Sequence, residues 1–296
     1  MTNRSDILCI GSVLWDVVGR TDVEMPPGAD RPGRIERIPG GVAMNIAMTV
    51  RRFGLAPTLL THIGRDAEGD ALLAACASLG VATDFVTRLP DLPTDIYMAI
   101  EGADGLVAAI ADAHSLERAG EAILTPLKDG RLGNATSPYQ GIAALDGNLT
   151  AELLSSIAAS PLFAALDLRI APASPGKAER LVPLLGHPRA TFYVNVEEAG
   201  IMCGARFEDA PTAAEALIAQ GAERVLVTDG PRAATFRSRQ QIATEMPPAV
   251  RQKRVTGAGD TFMAAHVAAE TNGASPDDAL SRALEAAATY VSGTNI

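Results

Sequence analysis

The sharpest chemical signal lies toward the C-terminal end, where Val255-Thr256-Gly257-Ala258-Gly259-Asp260-Thr261-Phe262 leads from a loop into an alanine-rich run. Two glycines around one small residue let the backbone N–H groups of residues 257–260 converge on one point, at the positive end of a helix dipole. Such a cradle suits an anion. Asp260 sets a carboxylate beside it, able to orient a hydroxyl and take its proton while the N–H groups stabilise charge on a transferring phosphoryl group. Removing such a donor typically costs about 3–4 kcal/mol of transition-state stabilisation. The plainer reading is a helix start with an acid in its first turn, worth roughly 0.3–1 kcal/mol.

A second glycine pair opens Gly40-Gly41-Val42-Ala43-Met44-Asn45-Ile46-Ala47. Glycines allow close approach of a ligand, and Asn45, one turn into the helix, offers both donor and acceptor to a hydroxylated substrate. Asp16 follows the first strand, at the end where open α/β sheets place their ligands, and its carboxylate suits a vicinal diol. Taken singly, these are also a helix start with a polar residue and a turn residue. His62, His114, His187 and His266 show no metal-ligand spacing. Neither G-x-x-x-x-G-K-[ST] nor G-x-G-x-x-G occurs, so phosphate binding rests on the 257–260 helix start and a dinucleotide enzyme lacks its fingerprint.

The elements that must position these residues alternate. A β-branched run at 7–12 reads as a buried strand, 42–53 as a helix, 58–63 as a strand and 66–79 as a helix. Strands at 141–145, 163–168, 191–194 and 224–228 interleave with helices at 150–158, 174–185 and 212–220; two strand-like runs, 233–238 and 241–246, precede helices at 257–271 and 276–292. This rhythm implies an α/β fold with a mostly parallel sheet and helices on both faces. A Pro/Gly-rich excursion at 21–41 and a hairpin at 96–111 interrupt it in the same half. The two either pair as a small β-sheet lid over the strand ends or decorate the surface.

Composition bounds the partners. The 296 residues are 47% hydrophobic, enough for a large core in one domain or two, and carry a net charge of −10. A nucleic-acid role is not expected of such an acidic chain, although a local N–H cradle still binds a nucleotide. Cys9, Cys76 and Cys203 are odd in number and widely spaced. They suggest neither disulfides nor zinc but a reducing compartment. No apolar run is long enough for a membrane span. A cytoplasmic location is expected.

Taken in order, GG-x-x-x-N at Gly40–Asn45, Asn195-Val196-Glu197-Glu198, Thr228-Asp229-Gly230 and Gly257-Ala258-Gly259-Asp260 resemble the ribokinase-like (PfkB) carbohydrate and nucleoside kinases, essentially over the whole chain. The resemblance implies a ribokinase-like three-layer α/β sandwich, 1–296 as a single domain, with a lid from about 13–41 and 94–113 that often forms a homodimer interface. It implies Asp260 as catalytic base, Gly257, Ala258 and Gly259 as anion hole, and Asp16, Gly40, Gly41 and Asn45 as substrate contacts. Asn195 and Glu198 would organise Mg²⁺, Glu198 through water, and Thr228 and Gly230 would line the ATP site.

Within the family, Val42 stands where sugar kinases usually carry lysine. GGVAMNIA, Tyr97 with Ala109-Ile110-Ala111-Asp112, Leu145-Asp146-Gly147-Asn148-Leu149 and Ser174-Pro175-Gly176-Lys177-Ala178 are similar to pseudouridine kinases. That similarity implies Tyr97, Asp112 and Lys177 at the nucleobase-like end of the substrate; each is also an ordinary strand, hairpin or helix residue. The expected activity is ATP-dependent phosphorylation of a primary 5′-hydroxyl of pseudouridine or a related nucleoside. The alternatives are a sugar kinase for ribose, fructose or a keto-deoxy sugar acid, and a nucleoside-binding protein that has lost transfer. Arg254 stands six positions before Asp260, where the family commonly has an acid serving a monovalent-cation loop, so potassium activation is not expected.

Overall fold

The computed structural model describes residues 6–26, 28–253 and 256–293. Its central sheet has eight strands: β1 (Ile7–Ile10), β4 (Pro57–Leu60), β7 (Ile142–Asp146), β8 (Asp167–Ala171), β9 (Ala190–Asn195), β10 (Arg224–Asp229), β11 (Arg232–Ser238) and β12 (Ile242–Glu245), in the order β12-β11-β10-β9-β8-β7-β1-β4. From β4 to β10 every pairing is parallel; β11 and β12 are added antiparallel. The mostly parallel α/β architecture is the one expected.

Parallel strands covered on both faces should be apolar throughout, and β1 is buried at all four positions. Its side chains alternate between two cores. Ile7 and Cys9 pack with α1 (Val42–Arg52), α2 (Ala67–Ser78), α7 (Ala258–Thr271) and α8 (Pro276–Val291). Leu8 and Ile10 face α3 (Ser115–Ala119), α4 (Ala151–Ala159), α5 (Val196–Cys203), α6 (Ala210–Ala219) and the 3₁₀ segments Gly120–Leu127 and Pro175–Leu184. Helix starts follow capping chemistry: Asp66, Thr150, Asp209 and Ser275 each accept an N–H of the first turn.

A second, four-stranded sheet has the order β3-β2-β5-β6, from β2 (Leu14–Arg20), β3 (Arg34–Gly40), β5 (Ile96–Gly102) and β6 (Gly105–Asp112). The 21–41 excursion and the 96–111 hairpin therefore do pair, through β2, which runs antiparallel to β3 and parallel to β5. Two local expectations are corrected. The apolar run at 163–168 is mostly turn, closed by Phe163 N–H to Ser160 and Leu166 N–H to Phe163, so the strand starts at Asp167. The helix expected at 174–185 is 3₁₀, with Pro175 at its start and Pro183 in its last turn shortening the run of N–H donors that a regular α-helix needs. No described helix is long and apolar enough to cross a membrane.

Helix α7, which carries Asp260, is anchored from below by a buried ionic cluster. Glu270 pairs with both Arg169 and Arg224, and Arg169 also holds Asp167 at 2.7 Å and Tyr193 at 3.0 Å. The Tyr193 hydroxyl meets His266 Nδ1 at 2.9 Å, and burial pushes His266 down to about 3, so the imidazole is neutral. Burial alone would raise the Glu270 carboxyl, but the two guanidiniums overcome it and hold it at about 2, against an ordinary 4.5. A carboxyl whose folded-state value is depressed stabilises the fold above its unfolded value and loses that contribution as pH falls toward the folded one. Glu270→Gln is therefore expected to lower stability by about 3 kcal/mol at pH 7. Denaturant titrations should show the gap to the unmodified chain narrowing as pH drops below about 4.5.

Candidate active site

The N-terminus of α7 forms an open cradle. Gly257 caps it at φ 87 with no side-chain acceptor, and a Cβ there would fall 2.6 Å from the Tyr290 hydroxyl. That hydroxyl donates to Thr256 O at 2.8 Å, fixing the approach of the loop. The first intrahelical bond is Thr261 N–H to Gly257 O at 3.0 Å, so the helix supplies no acceptor to the amides of Ala258, Gly259 and Asp260. A Cβ at Gly259 would meet nothing within 4 Å, which leaves the cradle open.

Asp260 receives a hydrogen bond from Asn45 Nδ2 at 3.0 Å, across 215 residues of sequence. Burial raises its carboxyl to about 7, the charge of Asp146 adds to the rise, and the Asn45 bond opposes it. A carboxyl near neutrality is matched to accepting a proton.

Asn45 lies one turn inside α1, whose N-cap is Gly41 at φ 92. A Cβ on Gly41 would lie 2.4 Å from Ser12 O, and one on Gly40 would lie 1.9 Å from Asp16 Oδ2. The glycine pair thus leaves room for the backbone at Ser12 and for the Asp16 carboxylate, which burial raises to about 6. In the second sheet Asp16 is the register partner of Tyr97 on β5 and of Ile38 on β3, so Tyr97 shares its face. Asp112 pairs with Ile96, which pairs with Trp15. Period-two alternation therefore puts Asp112 on the opposite face, and the structure does not bring it to Tyr97. Lys177 Nζ donates to Asn148 Oδ1 at 2.5 Å, beside the buried Asp146.

Asn195 ends β9 and is the register partner of Thr228 on β10. Asn195 and Glu198 form a capping box at the start of α5: Asn195 Oδ1 accepts the Glu198 N–H at 2.8 Å and Glu198 Oε2 accepts the Asn195 N–H at 2.8 Å. Burial raises the Glu198 carboxyl to about 7, and the neighbouring charges of Glu197 and Asp260 add to it. Gly230 turns at φ 58. With Thr228 it opens onto a cavity of about 430 Å³ that Ala258 and Gly259 also line. Its walls include Met246, Val250, Leu284 and Val291, which no motif announces. Arg254 lies outside the described residues. Among the described residues no group of three or more His, Cys, Asp or Glu is placed to hold a metal ion, so a cation here would rely on water and ligand oxygens.

A family model described as pfkB family carbohydrate kinase matches residues 4–295. The chain belongs to this family. Among curated relatives it is 30% identical to an uncharacterized sugar kinase, YeiI, of Escherichia coli over 77% of this chain and 61% of that one. It is 31% identical to an E. coli pseudouridine kinase over 38% of this chain and 36% of that one. It thus spans less than two thirds of either relative. Among solved structures it superposes on a carbohydrate kinase from Agrobacterium tumefaciens with TM-score 0.80 and 27% identity, covering 96% of this chain and 90% of that one. An Arabidopsis thaliana ribokinase complexed with ribose and ATP shares the fold, with TM-score 0.76, 19% identity and coverage of 97% and 92%.

The capping bond of Glu198 and its charge can be separated by substitution. Glutamine preserves the capping box while glutamate's charge is lost. Thermal melts should place Glu198→Gln within about 0.5 kcal/mol of the unmodified chain and Glu198→Ala about 1 kcal/mol below it. Both variants should lose turnover alike if the carboxylate itself serves the site.

Proposed function

We propose that this chain transfers the γ-phosphoryl group of ATP to a primary hydroxyl, the 5′-OH of pseudouridine or a related nucleoside. The observation that carries the chemistry is Asp260: a carboxyl raised to about 7, fixed by Asn45, beside three helix-start amides. As the hydroxyl oxygen bonds to phosphorus, its proton passes to Asp260, the bond from phosphorus to the β,γ-bridging oxygen breaks, and ADP leaves. The N–H groups of residues 257–260 take up charge on the phosphoryl oxygens.

The residues present fit both cofactors. The cavity beside Thr228 and Gly230, walled by Met246, Leu284 and Val291, suits a flat nucleobase, and it opens at Gly259 toward the cradle. Glu198, with Asn195, would hold Mg²⁺ through water, and bound Mg²⁺ neutralises phosphate charge. Asp16, Gly40, Gly41 and Asn45 would hold the sugar hydroxyls. Tyr97 and Lys177 would reach the base; Asp112 would have to act from the other face of its sheet. The four-stranded sheet, from about 13–41 and 94–113, would then serve as a lid that excludes water. Its face away from Asp16 exposes Ile35, Met98 and Ile110 at 80%, 46% and 69%, which supports a homodimer through the lid. The scattered cysteines suit the cytoplasm.

The pseudouridine assignment draws on the GGVAMNIA helix start and on relatives of that name. A sugar substrate is the second reading, and the match to a sugar kinase over 77% of this chain favours it. ADP release measured with pseudouridine, uridine, ribose and fructose, each with ATP and Mg²⁺, decides between them. Pseudouridine should be turned over with the highest kcat/KM; ribose or fructose outrunning it overturns the nucleoside reading. Raised melting temperature with a nucleoside but no ADP from any substrate would mark a binding protein instead. Asp260→Asn should lose at least about 100-fold in kcat with KM nearly unchanged. With Arg254 in the cation-loop position, activity should not respond to added K⁺.

A further inference from the structure

Asp146 ends β7 beneath the point where α1 begins, and its side chain is completely buried. It belongs to none of the groups given a role above, yet three backbone amides converge on it. Oδ2 accepts the N–H of Ser12 at 2.7 Å and that of Ala43 at 3.2 Å, and Oδ1 accepts the N–H of Asn148 at 2.6 Å. Ala43 is the second residue of α1, a helix whose N-cap, Gly41, has no side chain to offer. A carboxylate from a strand 103 residues away thus performs the capping. The end of β1 has given way to it: a Cβ on Gly11, at φ 149, would fall 2.2 Å from Asp146 Oδ2. Two residues beyond Ala43, Asn45 reaches Asp260.

We propose that Asp146 is a positioning residue for Asp260, fixing the start of α1 so that Asn45 holds the Asp260 carboxylate in place. The proposal rests on Asp260 being the proton acceptor. Asn45 from α1 donates to Asp260 and stabilises its charged form, whereas the charges of Asp146 from β7 and Glu198 from α5 oppose that form. Burial raises the Asp146 carboxyl in turn, and the three amides together with the Lys177 ammonium oppose that rise.

Asn45→Ala and Asp146→Asn remove two links of one chain, so their effects should not add. Asp146→Asn should cut kcat about tenfold with KM nearly unchanged, since small displacements of a catalytic group are costly, and the double variant should fall no further than Asn45→Ala alone. The substrate is whichever member of the panel above is turned over, and thermal melts confirm folding. A folded Asp146→Asn with undiminished kcat, or a loss that multiplies in full with that of Asn45→Ala, reduces Asp146 to a cap and overturns the proposal. Should Asp146→Asn fail to fold, Asp146→Ser takes its place with the same two readouts, and a chain that folds with neither marks a purely structural residue and overturns the proposal too. Undiminished turnover in Asp260→Asn overturns the base reading, and this proposal with it; additive losses while Asp260→Asn is inactive overturn the proposal alone.

Discussion

The hydrogen bond from Asn45 to Asp260 is the contact on which the site depends, because it joins two helix starts whose N-cap residues cannot cap them. Neither Gly41 nor Gly257 has a side chain with which to satisfy the first-turn amides. Against a Ser or Asp cap this is a loss of roughly a few tenths of a kcal/mol; at α1 Asp146 meets the Ala43 amide instead, and at α7 the donors are left to face a ligand. Both helices hold their positions through burial instead. Met44, Ile46 and Val50 of α1 pack in one cluster with Phe262, Met263 and Val267 of α7, all essentially inaccessible to water. Each such side chain contributes on the order of 1.5–3 kcal/mol by leaving water. That exceeds the missing caps, so a ligand-shaped gap at the helix ends is compatible with a stable fold.

The electrostatics of the same region follow from burial that no charged partner among the described residues offsets. Asp16, Glu198 and Asp260 are raised to about 6, 7 and 7, each with desolvation as the leading cause. Ten residues along the same helix, Glu270 is pushed the other way, to about 2, although it too is withdrawn from water. The difference is the pair of guanidiniums from Arg169 and Arg224. One helix therefore carries one carboxyl held as a stable anion and another held close to its protonated form. In a chain of net charge −10, phosphate finds no general attraction, and its binding must come from oriented amides and a cation brought with it.

How much of this was legible in the sequence depended on whether the determinant was local. The strand at 7–12, the helices at 66–79, 150–158, 212–220 and 276–292, and the glycine-marked starts of α1 and α7 are written in short stretches, and they appear within about two residues of where expected. Non-local determinants were not legible. Asn195-x-x-Glu198 read as a cofactor motif, but the same spacing makes a capping box, and only the backbone shows that both amides are engaged. Tyr97 and Asp112 looked like neighbours in one hairpin until strand register put them on opposite faces. Asp146 was visible as part of a similar stretch but not as a cap, because the amides it holds belong to residues 12, 43 and 148. The run at 163–168 was apolar because Phe163 and Leu166 fill the core from a turn, a use that hydrophobicity alone cannot distinguish from a strand.

Strand β2 shows how such register decides what the site contains. Trp15 donates Nε1–H to Glu68 O at 2.9 Å and is covered by the Arg37 guanidinium 4.0 Å from its ring, while Arg37 also pairs with the Glu68 carboxylate. This contact ties the small sheet to α2, in the body of the molecule. The next residue, Asp16, necessarily points to the other face, against Gly40 and the start of α1. A slip of one residue would set an indole against the glycine pair and a carboxylate against α2. The identity of residue 16 matters to the site only because the indole of residue 15, packed elsewhere, fixes which way the strand is turned.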